Sequence, residues 1–225
     1  MLPVKIPTVV RKLFPNYIWD IPTTDKVLYL TFDDGPTPII TDWTLDVLRD
    51  FDARATFFCI GNNIKKHPEI LCRIKNEGHA IGNHTFNHLS GWKTKTEEYV
   101  EEVLRTENLI SSEFRVHNTT ESNNFSLLSQ NPKLFRPPYG RITLKQGRSL
   151  LALGYKIVMW DIVAFDWKET LTPQECYQNV ISKTTSGSII VFHDSLKASK
   201  NMQYAIPKVL AYFSEKGFEF RRIPV

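Results

Sequence analysis

Short apolar runs alternate with longer amphipathic segments along almost the whole chain, and this alternation constrains the fold more than any other feature. Seven runs have the length and composition of strands: residues 27–32, 55–60, 79–83, 134–136, 155–160, 188–192 and 218–222. They are apolar on both faces, which is typical of buried parallel strands. The sequence therefore predicts right-handed βαβ units and a parallel sheet, either closed into an irregular barrel or left open as a doubly wound sheet.

Helix start signals lie in several of the connecting segments. Thr37-Pro38 offers an N-cap followed by Pro at the first helical position. Three further pairs have the spacing of a capping box, namely Thr94 with Glu97, Thr143 with Gln146, and Thr172 with Glu175. These signals support the interpretation of the segments as helices.

Length and composition favour a single domain. A domain of 225 residues can bury about 70% of its unfolded surface, and 42% hydrophobic with 23% charged residues is ordinary for a globular protein. We predict an N-terminal extension at residues 1–25 that packs on or beside the sheet, and one domain at residues 26–225. A stretch rich in Asn, Ser and Thr at about residues 116–131 is predicted to be a polar loop insertion.

Several classes of protein are disfavoured by the composition. The net charge of +4 comes without a dominant basic run, so nucleic-acid binding is not indicated. Cys59, Cys72 and Cys176 contain no Cys-x-x-Cys pair, which argues against a disulfide framework and against a thiolate zinc site. No apolar run reaches the roughly 18 residues of a transmembrane segment. The N-terminus shows no visible signal peptide, so the sequence is consistent with a cytoplasmic location, but export by another route stays open, and the oligomeric state is unknown.

Chemically active side chains cluster where the predicted strands end. They are Asp33, Asp34, His84, His88, Arg136, Asp161, Asp166, His193 and Asp194. The opposite ends of the strands carry no comparable group of His or Arg. Ligands of parallel α/β folds bind at the carboxyl ends of the strands, so this clustering predicts the functional site.

His84 and His88 could share a metal ion. On a helical turn, the i, i+4 spacing places both imidazoles on one side, about 6 Å apart. Two imidazoles and one carboxylate, with an open position for water, form a catalytic zinc composition. The adjacent pair Asp33-Asp34 would then divide two tasks, one carboxylate holding the ion and the other accepting a proton. Taken alone, however, Asp-Asp-Gly-Pro also suits a tight turn, and two histidines also suit a surface.

Five segments together settle these alternatives through a family resemblance. They are "TFDDGP", "HTFNH", "RPPYG", an imperfect "VAFDW" and "VFH". In this order they resemble the five motifs of the polysaccharide deacetylases, the NodB-homology family also called carbohydrate esterase family 4. The resemblance extends from about Lys26 to Ile223. It implies a distorted (β/α)7 barrel and a hydrolase that removes N-acetyl groups from amino-sugar polymers or oligomers of the peptidoglycan or chitin type, releasing acetate.

The resemblance also implies a metal centre. Asp34, His84 and His88 would bind one divalent ion, zinc above all, with Co²⁺, Ni²⁺ or Mn²⁺ as alternatives. Asp33 would be the general base, and Arg136 would pair with it and hold it ionised.

The remaining implied roles concern the substrate. His193 would be the general acid that protonates the departing amine, and the backbone N–H of Tyr139 would help to stabilise the oxyanion. Val191 and Trp167 would line a pocket for the acetyl methyl group. The partner implied is therefore a carbohydrate.

One motif departs from the family pattern. The fourth motif is Asp-x-x-Asp-Trp, and its first carboxylate helps to tune the acid histidine, but Val163 stands at that position here. Asp161 or Asp194 could take over the orienting role, and Asp166 is retained. We therefore expect activity that is weak or directed at an unusual substrate.

Two alternatives to the leading function remain open in the sequence. One is a metal-dependent hydrolase of another C–N bond in a small molecule. The other is a catalytically impaired carbohydrate-binding protein, suggested by Val163. The absence of a visible signal peptide is also in tension with the family, which usually acts on cell-wall material outside the cytoplasm.

Overall fold

A computed structural model describes residues 3–117 and 133–224, except the side chains of residues 114–117. The described residues contain eight strands, which are β1 (Val27–Asp33), β2 (Thr56–Cys59), β3 (Ala80–Asn83), β4 (Lys133–Phe135), β5 (Tyr155–Ile157), β6 (Ile162–Val163), β7 (Ile189–His193) and β8 (Glu219–Phe220). The strands pair in parallel in the order β5-β4-β3-β2-β1-β7-β6, and β8 pairs with the start of β1. Curled into a half-barrel with surrounding helices, this sheet confirms the predicted distorted (β/α)7 class.

Eight helices accompany the strands in the described ranges. They are α1 (Thr8–Leu13), α2 (Ile40–Asp50), α3 (Gly61–Lys66), α4 (Pro68–Asn76), α5 (Thr96–His117), α6 (Leu144–Ala152), α7 (Pro173–Lys183) and α8 (Ser199–Glu215). Short 3₁₀ turns occupy Gly91–Lys93 and Pro138–Gly140. No helix of this described set has both the length and the apolar composition that a bilayer crossing requires.

Helix starts were predicted with mixed success. The capping boxes of α6 at Thr143 and α7 at Thr172 are both formed. The helix predicted from Thr37-Pro38 instead begins at Ile40. The capping box at Thr94 is also wrong, because α5 begins only at Thr96 and the Thr94 hydroxyl donates to the Ser90 carbonyl over 2.9 Å.

The run at 155–160 forms less strand than its composition suggested. β5 ends at Ile157, after which the chain crosses from one edge of the sheet to the other and forms β6 beside β7. In that crossing Met159 donates its backbone N–H to Ile18 over 2.7 Å. The N-terminal segment therefore supplies hydrogen bonds that a neighbouring strand would otherwise provide.

Residues of the N-terminal segment lie along this crossing. Lys5 bridges to Ile162, Ile18 to Val158, and Asp20 to Ser188, which immediately precedes β7.

The predicted polar insertion at 116–131 lies outside the described residues, apart from the end of α5.

The two faces of β1 explain how the fold separates its core from its site. Leu28, Leu30 and Phe32 belong to the large apolar cluster that packs against helices on the outside of the sheet. Because side chains alternate along a strand, Thr31 and Asp33 share the opposite face, inside the curl. Both contact the fully buried guanidinium of Arg136 there. One strand thus supports the core with one face and the site with the other.

Candidate active site

The adjacent carboxylates lie where β1 ends and the chain turns. Asp33 is the last residue of β1 and pairs in register with His193 of β7. Asp34 follows with φ of 80°, a left-handed conformation that non-glycine residues rarely adopt. Asn63 supports this turn by donating its side-chain amide to the Asp34 carbonyl over 2.8 Å. The turn lets two neighbouring side chains point to different partners.

Asp34 meets the two histidines after β3. Its Oδ1 lies 3.1 Å from His88 Nε2 and 3.7 Å from His84 Nε2. One ligand atom from each of the three residues lies within 4.8 Å of the others. The structure therefore brings together the three residues predicted to bind metal, which is the grouping that the sequence proposal required.

The histidine pair reaches this arrangement without the helical turn that we expected. The segment after β3 is a loop, and both Thr85 (φ 63°) and His88 (φ 57°) are left-handed. The imidazole centroids of His84 and His88 are 5.1 Å apart. The predicted proximity holds, but loop geometry produces it.

The second nitrogen of each imidazole, Nδ1, has a hydrogen-bond partner, and for His84 this contact determines which nitrogen carries the proton. His84 Nδ1 lies 2.8 Å from the Arg136 carbonyl, which can only accept, so Nδ1 carries the proton and Nε2 has a free lone pair. His88 Nδ1 lies 3.1 Å from the Tyr139 hydroxyl. Such second contacts orient histidines that bind metals. Burial lowers the pKa of His84 to about 4, which keeps this imidazole neutral at pH 7.

The donor set fits a divalent cation. Asp34 Oδ1 is buried and accepts no well-formed hydrogen bond from the described residues, although His88 Nε2 lies 3.1 Å from it. Burial alone would raise the pKa of Asp34, but the contact with His88 and the nearby charge of His193 hold it below its ordinary value. An ionised, unsatisfied buried oxygen is costly unless a cation compensates it. One carboxylate and two imidazoles match zinc or a similar metal.

Asp33 pairs with Arg136 beside this centre. Arg136 Nη1 donates to Asp33 Oδ1 over 2.7 Å and to the Thr31 hydroxyl over 2.7 Å. The same guanidinium donates to the carbonyls of Met159 over 2.7 Å and Val158 over 3.2 Å. Four acceptors fix its position, so the Asp33 carboxylate is held beside a permanent positive charge.

His193 lies on the other side and is held by Asp166. Its Nδ1 is 2.9 Å from Asp166 Oδ1, and its backbone N–H donates to Asp166 Oδ2 over 2.7 Å. Burial opposes protonation, but the Asp166 charge and hydrogen bond outweigh it and raise the pKa of His193 to about 9. Trp167 contacts the same imidazole edge-on, with ring centroids 4.6 Å apart. His193 is therefore a cation at neutral pH.

Asp161 does not take part in this contact, and its proposed orienting role is corrected. Its carboxylate binds Lys5 over 2.9 Å, Ser188 over 2.6 Å, and Arg11. Asp161 pairs with Ile189, four strand residues before His193, which is about 13 Å along β7. Asp194, the residue after His193, makes its hydrogen bonds to other groups and does not orient His193 either. The carboxylate that contacts His193 is Asp166, so Val163 leaves this histidine with a partner.

Asp194 instead supports the turn that carries Asp34. Its carboxylate accepts the Gly35 N–H over 3.0 Å and the Thr41 hydroxyl over 2.6 Å. A Cβ on Gly35 would lie 2.0 Å from Asp194 Oδ2, so only glycine fits there. Sequence reasoning missed Asn63 and Thr41 because helix-forming segments gave no sign that they reach this turn. The polar pair at the end of β7 was the available signal for Asp194.

The predicted substrate residues surround the same centre at different depths. Val191 is buried in the apolar cluster that Trp167 partly covers. Tyr139 is exposed in the 3₁₀ turn Pro138–Gly140, with φ of 60°. Its ring packs against His88, with centroids 4.5 Å apart. These residues give the site an apolar wall on one side and an open aromatic edge on the other.

Comparison with known proteins gives matches over most of the chain. The family model described as "Polysaccharide deacetylase" matches residues 20–158. A peptidoglycan-N-acetylglucosamine deacetylase of Bacillus cereus is 33% identical over 216 residues, covering 92% of this chain and 70% of that protein. Chitin deacetylase 2 of Saccharomyces cerevisiae is 34% identical over 197 residues, covering 85% and 57% respectively. A solved structure of a peptidoglycan N-acetylglucosamine deacetylase, in complex with 4-naphthalen-1-yl-N-oxidanyl-benzamide, superposes with a TM-score of 0.81 at 30% identity, covering 97% of this chain and 95% of that one.

Proposed function

This chain belongs to the polysaccharide deacetylase family, and we propose that it is a metal-dependent hydrolase that releases acetate from N-acetylated amino-sugar polymers or oligomers. The observation that carries the proposal is the grouping of Asp34, His84 and His88 between two oppositely charged groups, the Asp33 carboxylate and the His193 imidazolium. Peptidoglycan and chitin-type chains are the proposed substrates, in line with the names of the relatives.

The metal would be held by Asp34, His84 and His88. When bound, a divalent ion supplies Lewis acidity and lowers the pKa of coordinated water toward about 7. The rest of the chemistry depends on the side chains of this chain.

Asp33 acts as the general base in this mechanism. It accepts a proton from the attacking water, and the 2.7 Å hydrogen bond from Arg136 holds the carboxylate in position. His193, charged because of Asp166, donates its Nε2 proton to the departing amine nitrogen. Each positioned proton transfer is worth about 10²–10⁴-fold in rate. The proton gained at one side and the proton lost at the other balance the conversion of amide and water into amine and acetate.

The carbonyl end of the substrate lies against the remaining residues. The backbone N–H of Tyr139 donates to the developing oxyanion, and one such donor is worth several kcal/mol, roughly 10²–10³-fold. Val191 and Trp167 enclose the acetyl methyl group. Their apolar surface favours a small acyl group over a longer one.

Acetate release tests this proposal directly. Metal-stripped protein is supplied with Zn²⁺, Co²⁺, Ni²⁺ or Mn²⁺ and offered chitooligosaccharides, peptidoglycan fragments and acetylated xylan. We expect metal-dependent release from the amino-sugar substrates and a loss of about 10²-fold or more in Asp33→Asn. Asp50→Asn, an exposed carboxylate at the end of α2, is the matched control and should be fully active. Failure of every metal on every amino-sugar substrate would sink the proposal.

One observation bears on the alternative of a catalytically impaired binding protein. That alternative assumed that the acid histidine lacks a carboxylate partner, because Val163 replaces the first Asp of its motif. The 2.9 Å contact between Asp166 and His193 supplies such a partner and removes the reason for expecting weak activity. A small-molecule substrate is less well supported, since Tyr139 leaves one edge of the site open.

A further inference from the structure

An exposed row of two aromatic rings and a guanidinium leads away from the metal ligands. Tyr139 packs on His88, and Arg141 Cζ lies 5.7 Å from the Tyr139 ring centroid and 5.3 Å from that of Trp92. Tyr139 is 59% exposed and Trp92 65%, and Arg141 is exposed as well. We call Tyr139, Arg141 and Trp92 the aromatic row.

The outer end of the aromatic row is fixed in place. Trp92 donates its indole N–H to the Ile142 carbonyl over 3.3 Å, and Gly91 donates its backbone N–H to Arg141 over 3.0 Å. Gln146 donates to the Gly91 carbonyl over 2.9 Å from within α6. A Cβ at Gly91 would lie only 2.5 Å from Gln146 Oε1 and 2.6 Å from the Arg141 carbonyl, so the turn is tightly seated. A large indole is therefore held in solvent by specific contacts.

The chemistry of the row suits a charged sugar chain. Exposed aromatic faces pack against the apolar C–H face of a pyranose ring, and burial of that surface is favourable. A planar guanidinium recognises carboxylates through paired hydrogen bonds. No carboxylate of the described residues forms an ion pair with Arg141, whose contacts are the two rings. The row thus offers two exposed ring faces for a sugar, and the guanidinium between them has no ion-pair partner among the described residues.

We propose that the aromatic row is a subsite for a sugar next to the one being deacetylated, and that Arg141 selects chains in which that sugar carries a carboxylate. This inference rests on the proposed function and narrows its substrate class to an acidic amino-sugar chain, such as the muramic-acid-containing strand of peptidoglycan. A neutral chitin-type chain would use the rings and not the guanidinium.

A matched substrate pair tests the role of the charge. The substrates are peptide-free tetrasaccharides of N-acetylglucosamine and N-acetylmuramic acid, with the lactyl carboxylates either free or converted to the methyl amide. An exposed charge pair is worth up to about 1 kcal/mol, so kcat/KM should favour the free acid by about fivefold, mainly through KM. Added salt should weaken this preference by screening.

Two variants separate the parts of the row. Arg141→Gln should bring the preference for the free acid close to one, whereas Arg141→Lys keeps a charge and should retain part of it. Trp92→Ala should raise KM for both substrates in parallel, because stacking does not depend on the carboxylate. A preference that persists in Arg141→Gln, or a wild-type protein that treats both substrates alike, would overturn the inference.

Binding to the Asp33→Asn variant gives the same comparison without turnover. Tighter binding of the free acid, lost on adding Arg141→Gln, supports the subsite even if the wild type releases no acetate, an outcome that would contradict the proposed function alone. Equal hydrolysis and equal binding of both substrates contradict the subsite and leave the proposed function standing.

Discussion

Replacement of Asp166 by Asn should shift the alkaline limb of the activity profile toward acid pH. Asp166 raises the pKa of His193 to about 9 by its charge and its 2.9 Å contact with Nδ1. An Asn can still accept the His193 backbone N–H through Oδ1, so the variant removes charge while keeping that contact. Without the charge, the pKa of His193 should fall toward its ordinary value of about 6.5, because burial opposes protonation and only the charges of Asp34 and Asp33 still favour it.

The size of the effect follows from the two pKa values. At pH 8 the protonated fraction of His193 falls from about 0.9 to about 0.03, which is a loss of about 30-fold in kcat. At pH 6 the same calculation gives a loss of only about 1.3-fold. The defect should therefore nearly disappear in mildly acidic buffer, whereas a defect caused by misfolding would persist.

Acetate release measured from pH 5.5 to 9.5 provides the assay. Asp161→Asn is the matched control, since it neutralises a buried carboxylate that binds Lys5 and Arg11 and makes no contact with His193. The control should keep the wild-type profile whatever its stability. An unshifted profile in Asp166→Asn, or a shifted one in Asp161→Asn, would refute this account of the acid.

Three further predictions concern stability and metal. Burial lowers the pKa of His79 to about 4, so this residue should contribute a fall of about 2 kcal/mol in the free energy of unfolding between pH 7.5 and pH 5, as measured by urea denaturation. His79→Asn keeps an acceptor for the Ala55 N–H and should lose that part of the pH dependence. Asp161→Ala leaves Arg11 and Lys5 without their shared partner and should cost about 2–4 kcal/mol in the same assay. Chelation should lower the melting temperature and abolish acetate release, and Zn²⁺ at 100 times its Kd should raise the free energy of unfolding by about 2.7 kcal/mol. A melting temperature that changes with neither chelator nor Zn²⁺ would contradict a metal at Asp34.

Most strands of the sheet were predictable because a buried strand appears in the sequence as a short apolar run. Each of β1 to β4 lies within one short apolar run or overlaps it, so periodicity and length were sufficient. β6 was not predictable, because its two residues follow β5 after a short crossing and are defined by pairing with β7. That pairing is a tertiary property, and no local pattern at Ile162–Val163 records it.

The candidate site, like the sheet, was predictable only in part. The grouping of Asp34, His84 and His88 was predictable because parallel strands bring their carboxyl ends to one edge. The partner of His193 was not, because Asp161 and Asp166 both follow β5 and spacing does not say which carboxylate turns inward. The loop after β6 makes that choice, with Phe165 in a left-handed conformation just before Asp166.

The bridges from the N-terminal segment impose an order on assembly during synthesis. Lys5 reaches Asp161 across a sequence separation of 156 residues, and Asp20 pairs with Ser188. The segment from Lys5 to Asp20 therefore cannot complete its docking until Ser188, just before β7, has been made. Contacts so distant in sequence form late and slow folding. A nascent chain paused before Ser188 would lack β7 and leave that side of β1 unpaired, an exposed strand edge that favours aggregation.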